Sequence, residues 1–394
     1  MVNNMINRLV QKQVENQIIE ESENYTKPPI PKRNAIIIYG ARQVGKTTLV
    51  KNILNKYPDK ARYINCELIP NRESLETTDP AKLKMFLGDS EIIILDEAQK
   101  IHDIGLTLKI IVDTYPEYQI IATGSSSFDL GHKLKEPMTG RTRVFKLYPF
   151  SVQEINKKHQ MYYTSVLENL LRFGAYPEVF TLLYEKSEAE ARNKLDEVAS
   201  SYLYRDIFEI ENLKRTDIIL KLLKALALQV GNEVSINELS SLVGVSVHTI
   251  DHYLYLLQES FIIHILHSFS RNLRKELNKK IKIYFYDLGI RNSLIQNYNT
   301  LGIRTDTGAL WENFSIIERI KYNSINKRRV NSYFWRTYDG QEVDYIEEHS
   351  GQLDGYEFKW NENAKFKIPK TFVDNYENAT VKKIDPKNYL EFLS

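Results

Sequence analysis

Cysteine is almost missing: Cys66 stands alone in 394 residues. A lone thiol excludes an internal disulfide and fits a reducing cytosol. Excess charge is missing as well. The 53 Lys and Arg face 51 Asp and Glu, for a formal net charge of +2. The whole chain is therefore no electrostatic sponge for nucleic acid, and any such contact must come from local patches. Apolar runs fall far short of the roughly 20 residues that a membrane helix needs. The opening MVNNMINRLVQKQ lacks the apolar stretch of a signal peptide. These absences lead us to expect a cytoplasmic protein with no membrane partner. What is present, 42% hydrophobic and 26% charged residues, is ordinary for a globular protein. The length admits two or three domains.

One segment stands out. GARQVGKTT, Gly40 to Thr48, follows the apolar run Ala35-Ile36-Ile37-Ile38-Tyr39 and precedes a helical pattern from Leu49. Strand, glycine-rich loop and helix together fit G-x-x-x-x-G-K-[ST], the P-loop pattern. Gly40 and Gly45 let the backbone curl so that its N–H groups face phosphate oxygens, and the helix adds the positive end of its dipole. Lys46 is expected to reach the β- and γ-phosphates, and Thr47 to offer its hydroxyl to Mg²⁺. Arg42, Gln43, Val44 and Thr48 complete the candidate ATP contacts.

Glu91-Ile92-Ile93-Ile94-Leu95-Asp96-Glu97 reads as a buried parallel strand ending in two carboxylates, the Walker B arrangement. Asp96 is expected to hold Mg²⁺ through water, and Glu97 to orient and deprotonate the attacking water. A strand ending in a solvated acidic turn is the bland alternative. It fits poorly some fifty residues after a P-loop. A third strand, 118–123, ends in Gly124-Ser125-Ser126-Ser127, which by itself reads equally as a plain turn. Cys66 sits in another expected strand and reads as a small core residue.

Residues 1–34 form an amphipathic helix and a proline-broken linker. Over 35–150, strands at 35–39, 62–66, 91–96, 118–123 and 143–147 alternate with helices, which implies a parallel sheet. Residues 151–230 are helical, with Gly174 and Pro177 shaping a turn. Residues 231–285 read as a winged helix. Ser235 caps a short helix, Gly244 turns, and Ser246 caps a second helix that carries His248 and Thr249. Arg271, Arg274, Lys275, Lys279 and Lys280 form a basic wing able to meet phosphates. A protein-contact module is the alternative. His248 and His252 have metal-binding spacing without completing ligands.

Residues 286–394 are α/β again. Glu312 lies on a helix spanning 308–321, Asp344 on one strand, and Glu357 and Lys359 on the next with period two. Carboxylates on adjacent strands, a lysine and a helical glutamate make a metal-dependent nuclease arrangement. Glu312, Asp344 and Glu357 would hold Mg²⁺, and Lys359 would orient water or stabilise charge. A solvated ion-pair network and a nuclease fold without activity are the alternatives.

Together these residues resemble a large prokaryotic family of P-loop ATPases. Its members have an AAA-type domain, a winged helix and a C-terminal domain of unknown function related to PD-(D/E)xK nucleases. The likeness rests on GARQVGKTTL, IIILDEAQKI, ATGSSS, TGRTRVFKLYPFS, GAYPEV, YLYRDI, KIYFYDLGIRN, GALWENF, EVDYI and YEFKW. It implies ATP and Mg²⁺ at Gly45, Lys46, Thr47 and Asp96, water activation by Glu97, and a nuclease-like core at Glu312, Asp344, Glu357 and Lys359. In ATPases of the AAA class a polar residue after the third strand senses the γ-phosphate, which makes Thr123 and Ser125 candidates. Arg141, in TGR, becomes a candidate arginine finger, with a solvated loop arginine as the alternative. The expected fold class is α/β: a P-loop NTPase sheet, a helical and winged-helix region, and a restriction-endonuclease-like C-terminal domain. The leading functional expectation is an ATPase coupled to nucleic-acid processing, with DNA or RNA as partner. A nucleotide-operated switch bound to a protein partner, or a DNA-binding regulator, is the rival. An oligomer and a monomer both fit.

Overall fold

Five short strands form the first sheet: β1 (Ala35–Tyr39), β2 (Ala61–Asn65), β3 (Ile92–Asp96), β4 (Gln119–Gly124) and β5 (Thr142–Lys146). All pair in parallel, in the order β2-β3-β4-β1-β5. The three central strands are buried at every position, as their unbroken Ile, Leu and Ala runs demand. The edge strands β2 and β5 carry Arg62 and Arg143 and are only partly covered. This computed structural model describes residues 6–25, 33–125, 131, 134, 137–157, 163–211, 216–270, 281–337 and 339–394. Ser126, Ser127 and the expected basic wing, Arg271 to Lys280, lie outside the described residues.

The N-terminal helix Leu9–Tyr25 buries Val10, Val14 and Ile18, four residues apart. It lies along the helix Lys46–Lys56, where Gln11 accepts from Asn52 at 3.2 Å and Glu15 pairs with Lys56 at 2.7 Å. Just before it, Arg8 donates to the carbonyls of Val44 and Tyr148, each at 2.6 Å.

The chain divides into two compact units, residues 1–148 with 259–261, and residues 149–258 with 262–394. In the second unit Gly174 turns the chain between the helices Tyr163–Phe173 and Pro177–Glu185 at φ 73. A Cβ there would overlap the Asp287 carboxylate, which accepts the Ala175 N–H at 2.7 Å and caps the helix Leu288–Leu294. Its glycine is thus structural, in keeping with the turn expected from sequence.

A seven-stranded sheet organises this unit: β6 (Glu233–Val234), β7 (Ile263–Ser268), β8 (Ile281–Phe285), β9 (Asn331–Arg336), β10 (Glu342–His349), β11 (Gln352–Phe358) and β12 (Ala379–Ile384). The order is β12-β11-β10-β9-β7-β8-β6. The sequence suggests separate stretches at 231–285 and 286–394. In the structure β7 pairs in parallel with β9, His267 opposite Tyr333 and Ser268 opposite Phe334, so the two stretches share one sheet. Pairing covers a strand edge that an isolated wing hairpin would leave open. Helices Ile236–Val243 and Val247–Glu259 precede β7 and are joined through Gly244 at φ 81. The helix Thr307–Ile325 lies against the sheet and locks to β8 through Asn313, whose amide both accepts from and donates to the Phe285 backbone at 2.8 Å. No helix among the described residues is long and apolar enough to cross a membrane.

Candidate functional site

The P-loop starts where β1 ends. Gly40 is required there by a close approach, because a Cβ would overlap the Leu147 carbonyl oxygen. Gly45, at φ 97, makes the left-handed turn into the helix, and Gln43 shares that conformation at φ 59. Val44 is buried, Thr48 is exposed, and Arg42 faces a cavity of about 240 Å³ that Thr47, Tyr63, Asp96 and Glu97 also line. The Lys46 side chain is buried and donates to the loop's own Gly40 and Ala41 carbonyls at 2.9 and 2.8 Å.

Asp96, at the end of β3, gathers three hydroxyls. Thr47 donates at 2.8 Å and Tyr63 at 2.7 Å to one oxygen, and Thr123 donates to the other. The Thr123 oxygen also accepts the Glu97 N–H at 3.1 Å. Glu97 sits in the left-handed region at φ 57, and its carboxylate accepts from Gln99 at 2.6 Å. Gln99 also donates to Ser125 at 3.2 Å. Burial, then the neighbouring Asp96 carboxylate, pushes the Tyr63 hydroxyl well above the ordinary tyrosine range, so it stays a donor. Lys46, Thr47, Asp96, Glu97, Thr123 and Ser125 therefore converge on the carboxyl ends of the strands.

Arg141 does not. It precedes β5, its carbonyl accepts the Ala35 N–H at 2.9 Å, and its guanidinium pairs with Asp113 at 3.0 Å. That is the amino-terminal edge of the sheet, roughly 16 Å of strand from the P-loop at about 3.3 Å per residue. A finger acting on its own P-loop is excluded by this placement.

In the second unit, Asp344 and Glu357 lie on neighbouring β10 and β11, next to the Tyr345–Tyr356 pair. Glu312 reaches them from the helix, fixed in place by Asn313. A side chain not singled out from sequence stands among them: Lys282, on β8 and 2% exposed, with Nζ 2.6 Å from Glu342, 3.1 Å from Glu312 and 3.9 Å from Asp344. Tyr284 donates to the same Glu312 oxygen at 2.7 Å. The second Asp344 oxygen accepts the Phe358 N–H at 2.9 Å, and Glu357 accepts from Lys359 at 2.8 Å. Burial, then Asp344, pushes the Glu312 carboxyl up to about 7 against the pull of Lys282. The same two causes raise Glu357 to about 7 against the pull of Lys359. Burial disfavours charge on Lys282, but Glu312, Asp344 and Glu342 outweigh it and hold the ammonium protonated.

This arrangement does not fit a divalent ion. An ammonium already serves the carboxylates, and among the described residues no three His, Cys, Asp or Glu side chains are grouped to hold a metal. Of the expected metal set, Glu312 and Asp344 thus come together around Lys282, while Glu357 pairs with Lys359. Only a charged residue in the otherwise apolar and aromatic β8 run, Ile281-Lys282-Ile283-Tyr284-Phe285, could have flagged Lys282. Tyr63 left no comparable mark.

The first sheet and its loop define an AAA-type P-loop ATPase fold. Residues 32–156 match the family described as an AAA domain. Residues 164–305 match a domain of unknown function (DUF8612), and 307–389 match another (DUF4143). An uncharacterized Mycobacterium tuberculosis protein is 26% identical over 329 residues, covering 82% of this chain and 70% of that one. An uncharacterized protein of Methanocaldococcus jannaschii is 24% identical over 333 residues, covering 79% and 71%. Among solved structures, the Thermotoga maritima RuvB Holliday junction branch migration motor is 16% identical at a TM-score of 0.32, covering 64% of this chain and 88% of that one. Aeropyrum pernix Orc1 in complex with DNA is 14% identical at 0.30, covering 72% and 92%.

Proposed function

We propose that the first unit binds ATP with Mg²⁺ and hydrolyses it. The observation that carries this reading is Asp96, ringed by the Thr47, Tyr63 and Thr123 hydroxyls beside the P-loop. One carboxylate and a hydroxyl suit a small hard cation that keeps several waters, so Thr47 and Asp96 would hold Mg²⁺. Bound there, the ion would neutralise charge on the phosphates. Lys46 exchanges the Gly40 and Ala41 carbonyls for phosphate oxygens. The turn at Gly45 aims backbone N–H groups into the same space. Glu97 takes the proton of the attacking water once its carboxylate leaves Gln99. Thr123 ties Asp96 to the Glu97 backbone and keeps the two acidic side chains in fixed relation.

Lys46→Ala should abolish ATP binding in a titration with a fluorescent analogue. Glu97→Gln should bind ATP normally and lose turnover about 100-fold or more. Unchanged turnover in Lys46→Ala removes the P-loop assignment.

The second unit, in this reading, is a nuclease-like core that receives a nucleic-acid backbone without cutting it, under control of the nucleotide. Exposed Lys365, Lys367 and Lys370 border a cleft of about 880 Å³ over Asp344 and Glu357, which supports an anionic ligand. The cutting alternative predicts Mg²⁺- or Mn²⁺-dependent cleavage of DNA or RNA that Asp344→Ala removes. We expect salt-sensitive binding and no such cleavage.

A further inference from the structure

We propose that Lys282 is a resident cation of the carboxylate site, filling the role that a divalent ion plays in a metal-dependent nuclease core. The inference rests on the nuclease-like reading of Glu312, Asp344, Glu357 and Lys359 and assigns that site its ionic state.

Three features carry it. The Lys282 side chain is 2% exposed, so it lies within the protein instead of reaching in from solvent. Its ammonium touches carboxylates from two separate elements, Glu312 on the helix and Glu342 on β10, with Asp344 at 3.9 Å. Such bridging between elements is what a metal ion does when it closes a site. Its backbone is also fixed: β8 is held by β7 on one side and β6 on the other, with Lys282 opposite Leu266 and Glu233. Swinging the ammonium out would strand buried carboxylates, a steep penalty. An ammonium carries one charge and donates protons, whereas a divalent ion accepts lone pairs and can activate water. The substitution keeps the carboxylates together and withholds the hydrolytic chemistry.

The test is Mn²⁺ binding to the full chain, nucleotide-free, followed by electron paramagnetic resonance. Wild type and Asp344→Asn should hold the same amount of Mn²⁺. Lys282→Met keeps the aliphatic stem and removes the charge. It should gain one site, at least tenfold tighter than any in wild type, that a second Asp344→Asn change abolishes. Lys282→Arg, which restores a cation, should gain none. Circular dichroism verifies folding, and a Lys282→Met chain that folds only when Mn²⁺ is added supports the proposal equally. Asp344-dependent Mn²⁺ in wild type overturns the role of Lys282 and leaves the nuclease-like reading intact. A Lys282→Met chain that folds without gaining Mn²⁺, or that stays unfolded when Mn²⁺ is added, overturns both, because the carboxylates are then no latent metal site.

Discussion

Cys66 ties the candidate nucleotide site to a chemical handle. Its N–H donates to the Asp96 carbonyl at 2.9 Å, and its side chain is wholly buried. Burial, then the Asp96 and Glu97 carboxylates, pushes the thiol up to about 12. A raised thiol stays protonated below that value, and only the thiolate reacts. At pH 8 a disulfide reagent should therefore label the native protein far more slowly than the denatured one. Labelling within seconds under native conditions would mean that the end of β2 opens. Asp96 has a different protection. Three hydroxyls from three separate elements accommodate its charge without a lysine in the set, so the same oxygens can turn to a cation by rotating hydroxyls alone.

At the scale of elements, the helix Thr307–Ile325 does most to assemble the second unit. Asn313 fixes it to β8, Glu312 meets Lys282, and Arg319 pairs in bidentate fashion with Glu347 of β10 at 2.9 and 2.8 Å. Glu347 is fully buried, and Arg319 also donates to the Phe392 carbonyl. Removing one member of such a pair leaves a charge stranded. Arg319→Leu should cost about 3–5 kcal/mol in a denaturant titration, whereas Arg319→Leu with Glu347→Met should recover much of it. A single variant of wild-type stability would mean that Asn323, which also donates to Glu347, and Arg328, 3.8 Å from it, suffice for its charge. Elements like this helix were readable from sequence because their signals are local. Apolar runs ending in Gly40, Asp96 and Gly124 mark the strand ends of the first sheet within a residue. Glu312, Asp344, Glu357 and Lys359 could be gathered by spacing and period. Lys282 could not, since its place depends on β7 meeting β9 across more than sixty residues of chain, a pairing that no local pattern encodes. That Arg141 lies away from its own P-loop was illegible for a related reason: TGR names a residue type, while its distance from the P-loop follows from the strand register.

At the scale of the whole chain, the two domains of unknown function share a sheet. The first match, 164–305, contains β6 to β8, and the second, 307–389, contains β9 to β12. A fragment ending at 305 exposes the β7 edge and leaves Lys282 without Glu312, Glu342 and Asp344. A fragment starting at 307 exposes β9 and keeps the carboxylates without their lysine. Neither should give a cooperative thermal transition alone, and both should aggregate through open strand edges. Sharp melting of either would mean that the β7–β9 pairing is dispensable. The lysine and its carboxylates also bear on inheritance. A crossover between distant relatives at the seam near 306 would hand a lysine from one parent to acids from the other, and a mismatched pair would be lost with the fold. These two stretches should therefore descend together as one block, however separate they look in sequence.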